Sequence, residues 1–179
     1  MSSFDNNIGQ LEKMFDKEFK IKKNKGKYYD DWTLTGKHSR FDKKLCDKYD
    51  IPARNKIKEI MGNLVTDNPD IYMQDLIINI PECKYKFLEL QVCTQWINKE
   101  FPYPNLYVYE RKKKYDDNTL YLTMDRYLTK GYLFDYNSFC DTKPVRLKKY
   151  SREFVYHIPW YKASLVYIDH IDKETFEFY

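Results

Sequence analysis

Residues Asn68 to Cys93 read NPDIYMQDLIINIPECKYKFLELQVC, and the fold turns on how this stretch is parsed. Two apolar runs, 71–80 and 85–92, flank the polar turn Pro81-Glu82-Cys83-Lys84. Apolar runs of that length around turn residues predict a β-hairpin. Residues two apart on a strand share a face, so Glu89 and Gln91 point the same way. Asp75 opens the Leu76-Ile77-Ile78 core of the first run. Pairing the two runs brings Asp75 and Glu89 together at one edge of the sheet. Carboxylates held that close repel, and a divalent cation relieves the repulsion. Glu89 and Gln91 also interrupt an otherwise apolar run, KFLELQVC, where polar groups need a partner or a function.

Helical periodicity precedes this hairpin. Phe4, Ile8, Leu11, Phe15 and Phe19 recur at spacings of three and four, which predicts a one-faced helix capped by Ser2 or Ser3. A lysine-rich connection, 20–27, follows, and Gly26 stops or turns the chain. Ser39 caps a predicted helix through Tyr49, and Asp50-Ile51-Pro52 breaks it. A further helix runs from Pro52 to about Leu64 and buries Ile57, Ile60, Met61 and Leu64, with Glu59 on its other side. Beyond the hairpin the pattern is all strand. Residues 105–110 and 119–125 read as a pair around the charged turn RKKKYDDN, 132–136 as a short strand, and 153–158 with 164–168 as a closing hairpin. Helices first and strands after predict one α+β domain over 1–179: a central mixed sheet with the N-terminal helices packed on it.

Composition narrows the function classes. A chain of 179 residues builds a core without disulfides. Its net charge of +4 is too small for a histone-like binder but leaves room for a local basic groove. Cys46, Cys83, Cys93 and Cys140 form no CxxC pair, and no histidine stands at zinc-ligand spacing from them. The polar start and the lack of a long apolar run predict an intracellular protein, neither secreted nor membrane-spanning. Tyr, Lys, Asn, Asp and Ile are abundant, and their AT-rich codons suit an AT-rich virus or microbe, with cytoplasm, nucleus or virion as the setting. Neither a Ser-His-Asp or Cys-His nucleophile nor a P-loop or Rossmann fingerprint is present.

Asp75, thirteen intervening residues, and then Glu89-Leu90-Gln91 resemble the signature of the PD-(D/E)XK nuclease superfamily, the restriction-endonuclease-like fold. The resemblance covers roughly residues 52–92. It implies Asp75, Glu89 and Gln91 as the catalytic set, with Gln91 at the position where the family usually carries Lys. It implies Mg²⁺ or Mn²⁺ bound by Asp75, Glu89 and the backbone carbonyl of Leu90. Asp70, in the literal Pro69-Asp70, is the rival to Asp75, and Glu59 is the candidate extra acid from the preceding helix. The activity implied is metal-assisted hydrolysis of DNA phosphodiesters by an endonuclease.

Basic residues supply candidate phosphate contacts: Lys99, the run Arg111, Lys112, Lys113 and Lys114, and Lys148 with Lys149. The run at 111–114 reads equally as a phosphate contact or as a solvated turn. His38, His157 and His170 read as structural or surface residues, and Trp96 and Trp160 as packing residues in preference to base stackers. Two further classes stay open. One is a catalytically silent nucleic-acid-binding or virion-associated protein on the same fold, and the other an unrelated α+β interaction module. Homodimerisation is compatible with action on a duplex.

Overall fold

The computed structural model describes residues 42–146 and 154–177. The predicted helix at 3–19, the basic connection at 20–27, His38, and the basic pair Lys148 and Lys149 lie outside them. Asp42 caps the first described helix, its carboxylate accepting from the Lys44 backbone N–H at 2.9 Å. Helix α1 (Lys43–Leu45) passes through a π-helical turn (Cys46–Asp50) into α2 (Ile51–Met61).

The break expected at Asp50-Ile51-Pro52 does not occur. Proline lacks an N–H, and its ring crowds the carbonyl four residues back. Here the turn ahead of Pro52 is widened: Ile51 donates to Cys46 O, five residues back. Room for the ring is made without ending the helix. Helix α2 stops at Gly62, whose φ of 57° lies in the left-handed region that favours glycine.

Nine strands follow among the described residues: β1 (Val65–Asp67), β2 (Leu76–Ile78), β3 (Phe87–Cys93), β4 (Leu106–Tyr109), β5 (Thr119–Asp125), β6 (Lys130–Asp135), β7 (Val145–Arg146), β8 (Phe154–Ile158) and β9 (Ser164–Tyr167). A short helix, α3 (Lys173–Glu177), ends the described chain. Six strands form one mixed sheet in the order β1-β2-β3-β5-β6-β9, with β3 and β5 parallel and the other neighbours antiparallel. A second sheet has the order β4-β8-β7. The protein is an α+β fold, as its sequence predicts.

Two cores lie on opposite faces of the large sheet. One face buries Leu76, Ile78, Leu88, Leu90, Leu120, Leu122 and Met124 against Ala53, Ile57 and Met61 of α2. The other carries Cys93, Tyr121 and Phe134 against the small sheet and a cluster of rings. Tyr121 stacks on Phe134 with centroids 5.5 Å apart, and Trp96 on Tyr132 at 5.4 Å. Much of the aromatic content therefore packs between two sheets, a layer absent from the expectation of one central sheet with helices packed on it.

Two expected hairpins are not formed. Strand β4 pairs with β8, and β5 lies between β3 and β6. Every residue of β5 is buried, and a strand buried on both faces belongs at the centre of a layered fold. Strand β9 pairs with β6 instead of β8. Between β8 and β9, Pro159 and the tight turn Trp160–Lys162 redirect the chain from the small sheet to the edge of the large one. The first run of the opening hairpin is also shorter than predicted, because Asp70 ties residues 70–73 into a turn: its Oδ1 accepts from Tyr72 N at 3.0 Å and its carbonyl from Met73 N at 3.1 Å. Among the described residues, no helix is long and apolar enough to cross a membrane.

Candidate active site

Strand register assembles the site. Leu76 pairs with Leu88 across the antiparallel β2–β3 ladder, so the next pair outward sets Asp75 opposite Glu89. Asp75 stands just before β2, where its carboxylate serves two elements. Its Oδ2 accepts from the Leu90 backbone N–H at 2.8 Å, and its Oδ1 from Arg54 Nη2 on α2 at 3.0 Å. The Asp75 side chain keeps 15% of its surface exposed.

Glu89 is deeper. Leu88 and Leu90 face α2, so alternation turns Glu89 toward the small sheet, where it is 6% exposed. Its Oε1 pairs with Lys112 Nζ. Its Oε2 is buried without a hydrogen-bond partner. Burial pushes the Glu89 carboxyl up to about 7, the charge on Asp75 adds to the rise, and Lys112 opposes it without outweighing burial. Tyr115 and Tyr121 border the same carboxylate, and both hydroxyls are pushed up, by burial first and by Glu89 next.

Lys112 arrives from an unexpected direction. It lies on the tight turn Glu110–Tyr115 between β4 and β5, and the Tyr121 hydroxyl donates to its backbone carbonyl at 3.1 Å. That turn is not the solvated loop its charge suggests. Arg111 lies 4.3 Å over the Tyr109 ring, Lys113 4.9 Å over Tyr156, and Lys114 5.2 Å over Tyr115. All four cations are half-buried, and one of them belongs to the site itself.

The other predicted residues are spread more widely. Gln91 lies near Tyr107, and its amide nitrogen is buried without a partner. Asp70 is a turn residue on an exposed loop, so Asp75 is the acid of this pair that meets Glu89. Glu59 is exposed on α2, away from the buried face, and does not join the cluster. The Leu90 amide is engaged by Asp75. Lys99 is exposed in the segment beyond the end of β3. Trp96 is buried, Trp160 packs 5.0 Å from Tyr132, and neither is presented for base stacking. His157 is held below its ordinary range by burial, and His170 is exposed.

Sequence reasoning missed Asp50. It stands exposed at the rim of the cluster, at the end of the π-helical turn. Surrounding protein raises its carboxyl, and the charge on Asp75 raises it further, while Lys112 and Arg54 oppose. The available signal was the four-residue spacing of Asp50 and Arg54, which share a helix face once the helix is read through Pro52. Among the described residues, no three or more His, Cys, Asp or Glu side chains are grouped to hold a metal. The oxygen donors at the centre of the site are the carboxylates of Asp75 and Glu89. Comparison with family models, with curated proteins and with solved structures finds no match for this chain.

Proposed function

We propose that this chain is a metal-dependent endonuclease that hydrolyses phosphodiester bonds in DNA, on a restriction-endonuclease-like sheet. One observation carries the reading: Asp75, just before β2, lies in register with Glu89 of β3, with Lys112 on one Glu89 oxygen and the other oxygen buried and unpartnered. Mg²⁺ suits that donor set, since it takes one or two carboxylates, keeps several waters and completes its shell on substrate phosphate. Asp75, Glu89 and the Leu90 carbonyl would hold it, and a bound Mg²⁺ or Mn²⁺ would supply charge stabilisation at the phosphate.

The chain's own residues do the rest. Arg54 and the Leu90 amide fix both oxygens of Asp75. Lys112 holds Oε1 of Glu89 and brings a fixed cation to the site, the charge that position 91 lacks in this sequence. Gln91, neutral and with its amide nitrogen unpartnered, orients through that amide and takes no proton. Arg111, Lys113 and Lys114 line the surface beside Lys112 and suit a phosphate backbone. An intracellular or virion setting and a homodimer on duplex DNA go with this reading.

A second reading is a silent nucleic-acid-binding protein on the same fold. It is favoured by the two resident ion pairs, Arg54–Asp75 and Lys112–Glu89, which already balance both carboxylates without a metal. Plasmid incubated with the protein and Mg²⁺ or Mn²⁺, beside Asp75→Ala and Glu89→Ala, separates the two. Nicking that requires both acids supports the nuclease. Nicking that survives both substitutions removes this site, and salt-dependent binding without nicking moves the conclusion to the silent protein.

A further inference from the structure

We infer that the loop tip Ile71-Tyr72-Met73 is a wedge that stacks against the bases of a DNA strand whose backbone lies at the Asp75–Glu89 site. The inference rests on the reading above for its choice of DNA as partner. These three side chains are 79%, 64% and 40% exposed, and among the described residues they are the one run of three consecutive exposed large apolar residues. Isolated exposed apolar side chains are ordinary, whereas a contiguous set marks a contact surface.

The tip is held in this exposed position. Asn68 Oδ1 accepts from Asp70 N at 3.1 Å, Asp70 Oδ1 from Tyr72 N at 3.0 Å, and the Asp75 carbonyl from Asn68 N at 3.1 Å, which closes the base of the loop. Next to the tip, Gln74 is buried and donates to Thr119 Oγ1 at 2.9 Å. The loop thus turns its apolar residues outward from a fixed frame and leads directly into Asp75.

Charge beside the tip favours a nucleic acid. Lys114 Nζ reaches the Tyr72 carbonyl at 3.4 Å, and Lys112, on the same turn, holds Glu89. One short turn therefore joins a cation under the aromatic tip to a cation in the acid site, which matches base next to phosphate along one strand. Stacking on an aromatic ring is sequence-tolerant, and apolar wedges of Ile and Met open base steps. A protein partner would ask for a broader apolar surface than this tip, which has Asp70 and Lys114 at its flanks.

The test measures binding of the full chain to a DNA strand carrying 2-aminopurine, in Ca²⁺, over a salt series, with plasmid cleavage in Mg²⁺ read in parallel. Replacing Ile71, Tyr72 and Met73 together by Ser is expected to weaken binding about tenfold or more and to abolish the change in 2-aminopurine fluorescence. The slope of log affinity on log salt stays unchanged, because no phosphate contact is removed, whereas Lys114→Ala lowers that slope by about one. Tyr72→Phe keeps the ring and is expected to bind like the wild type. Cleavage lost with tip-dependent binding retained would sink the nuclease and support the wedge. Cleavage retained with binding indifferent to the triple substitution overturns the wedge alone, and a wild-type chain that binds no DNA overturns it too.

Discussion

Two buried acids on neighbouring strands meet opposite fates. Asp125, at the end of β5, is 3% exposed, and its carboxylate is fully engaged. Oδ1 accepts from the backbone N–H of Thr129 at 2.7 Å and of Lys130 at 3.2 Å, and Oδ2 from the Thr129 hydroxyl at 2.7 Å. Glu89, on the adjoining β3, is buried to nearly the same degree, yet one oxygen has Lys112 and the other has nothing. Asp125 folds a turn and is satisfied by it. Glu89 is left short of donors, and burial raises its carboxyl. Equal burial thus leaves the two carboxylates with unequal numbers of donors.

The comparison breaks most sharply on activity. Glu89→Ala and Asp75→Ala are each expected to lower plasmid cleavage by roughly a hundredfold or more, as loss of a charge-stabilising group does, while Asp125→Ala keeps the activity of whatever fraction folds. Equal losses from all three would erase the distinction. Next comes Lys112→Met, which strips Glu89 of its cation. At pH 8 urea titration is expected to find it destabilised by about 3 kcal/mol, the cost of orphaning a buried charge. Adding Glu89→Gln should return most of that loss.

The pH dependence is of similar or smaller size. Folding raises the Glu89 carboxyl from 4.5 to about 7, so between those values the folded state holds the proton more tightly than the unfolded state does. Stability from this group is therefore intact below pH 4.5, falls as pH rises toward 7, and levels off above it, by on the order of 3 kcal/mol. Glu89→Gln should flatten that slope in denaturation curves taken from pH 4.5 to 8, and a slope unchanged by the substitution would assign it elsewhere. The smallest effect belongs to the satisfied acid. Asp125→Ala leaves the Thr129 and Lys130 amides without their acceptor and is expected to cost about 2 kcal/mol by urea titration.

How much of this was legible in the sequence follows the range of each interaction. The class of the fold and strand β3 were readable, because alternation and turn chemistry act over a few residues. The opposition of Asp75 and Glu89 came with them, since a hairpin fixes its own register. Lys112 was visible only as one of four cations in a row. Its approach to Glu89 depends on β5 inserting beside β3, a pairing that no local pattern specifies. Asp50 was hidden by a rule applied correctly: proline breaks helices, unless a widened turn makes room for its ring. The pairing of β4 with β8 was missed for the same reason as Lys112, because partners far apart in the chain leave no periodicity between them.

That last pairing has a consequence for how the molecule is made. As the chain emerges from its N-terminal end, β1, β2, β3, β5 and β6 can assemble the centre of the large sheet in sequence. Strand β4 is synthesised among them, yet its partner β8 follows only after β5 and β6, with Leu106 waiting for Ile158. Contacts that span so much chain are slow to form, and an unpaired apolar strand invites aggregation meanwhile. The small sheet therefore cannot close until β8 has been made, after both neighbours of β3 in the large sheet.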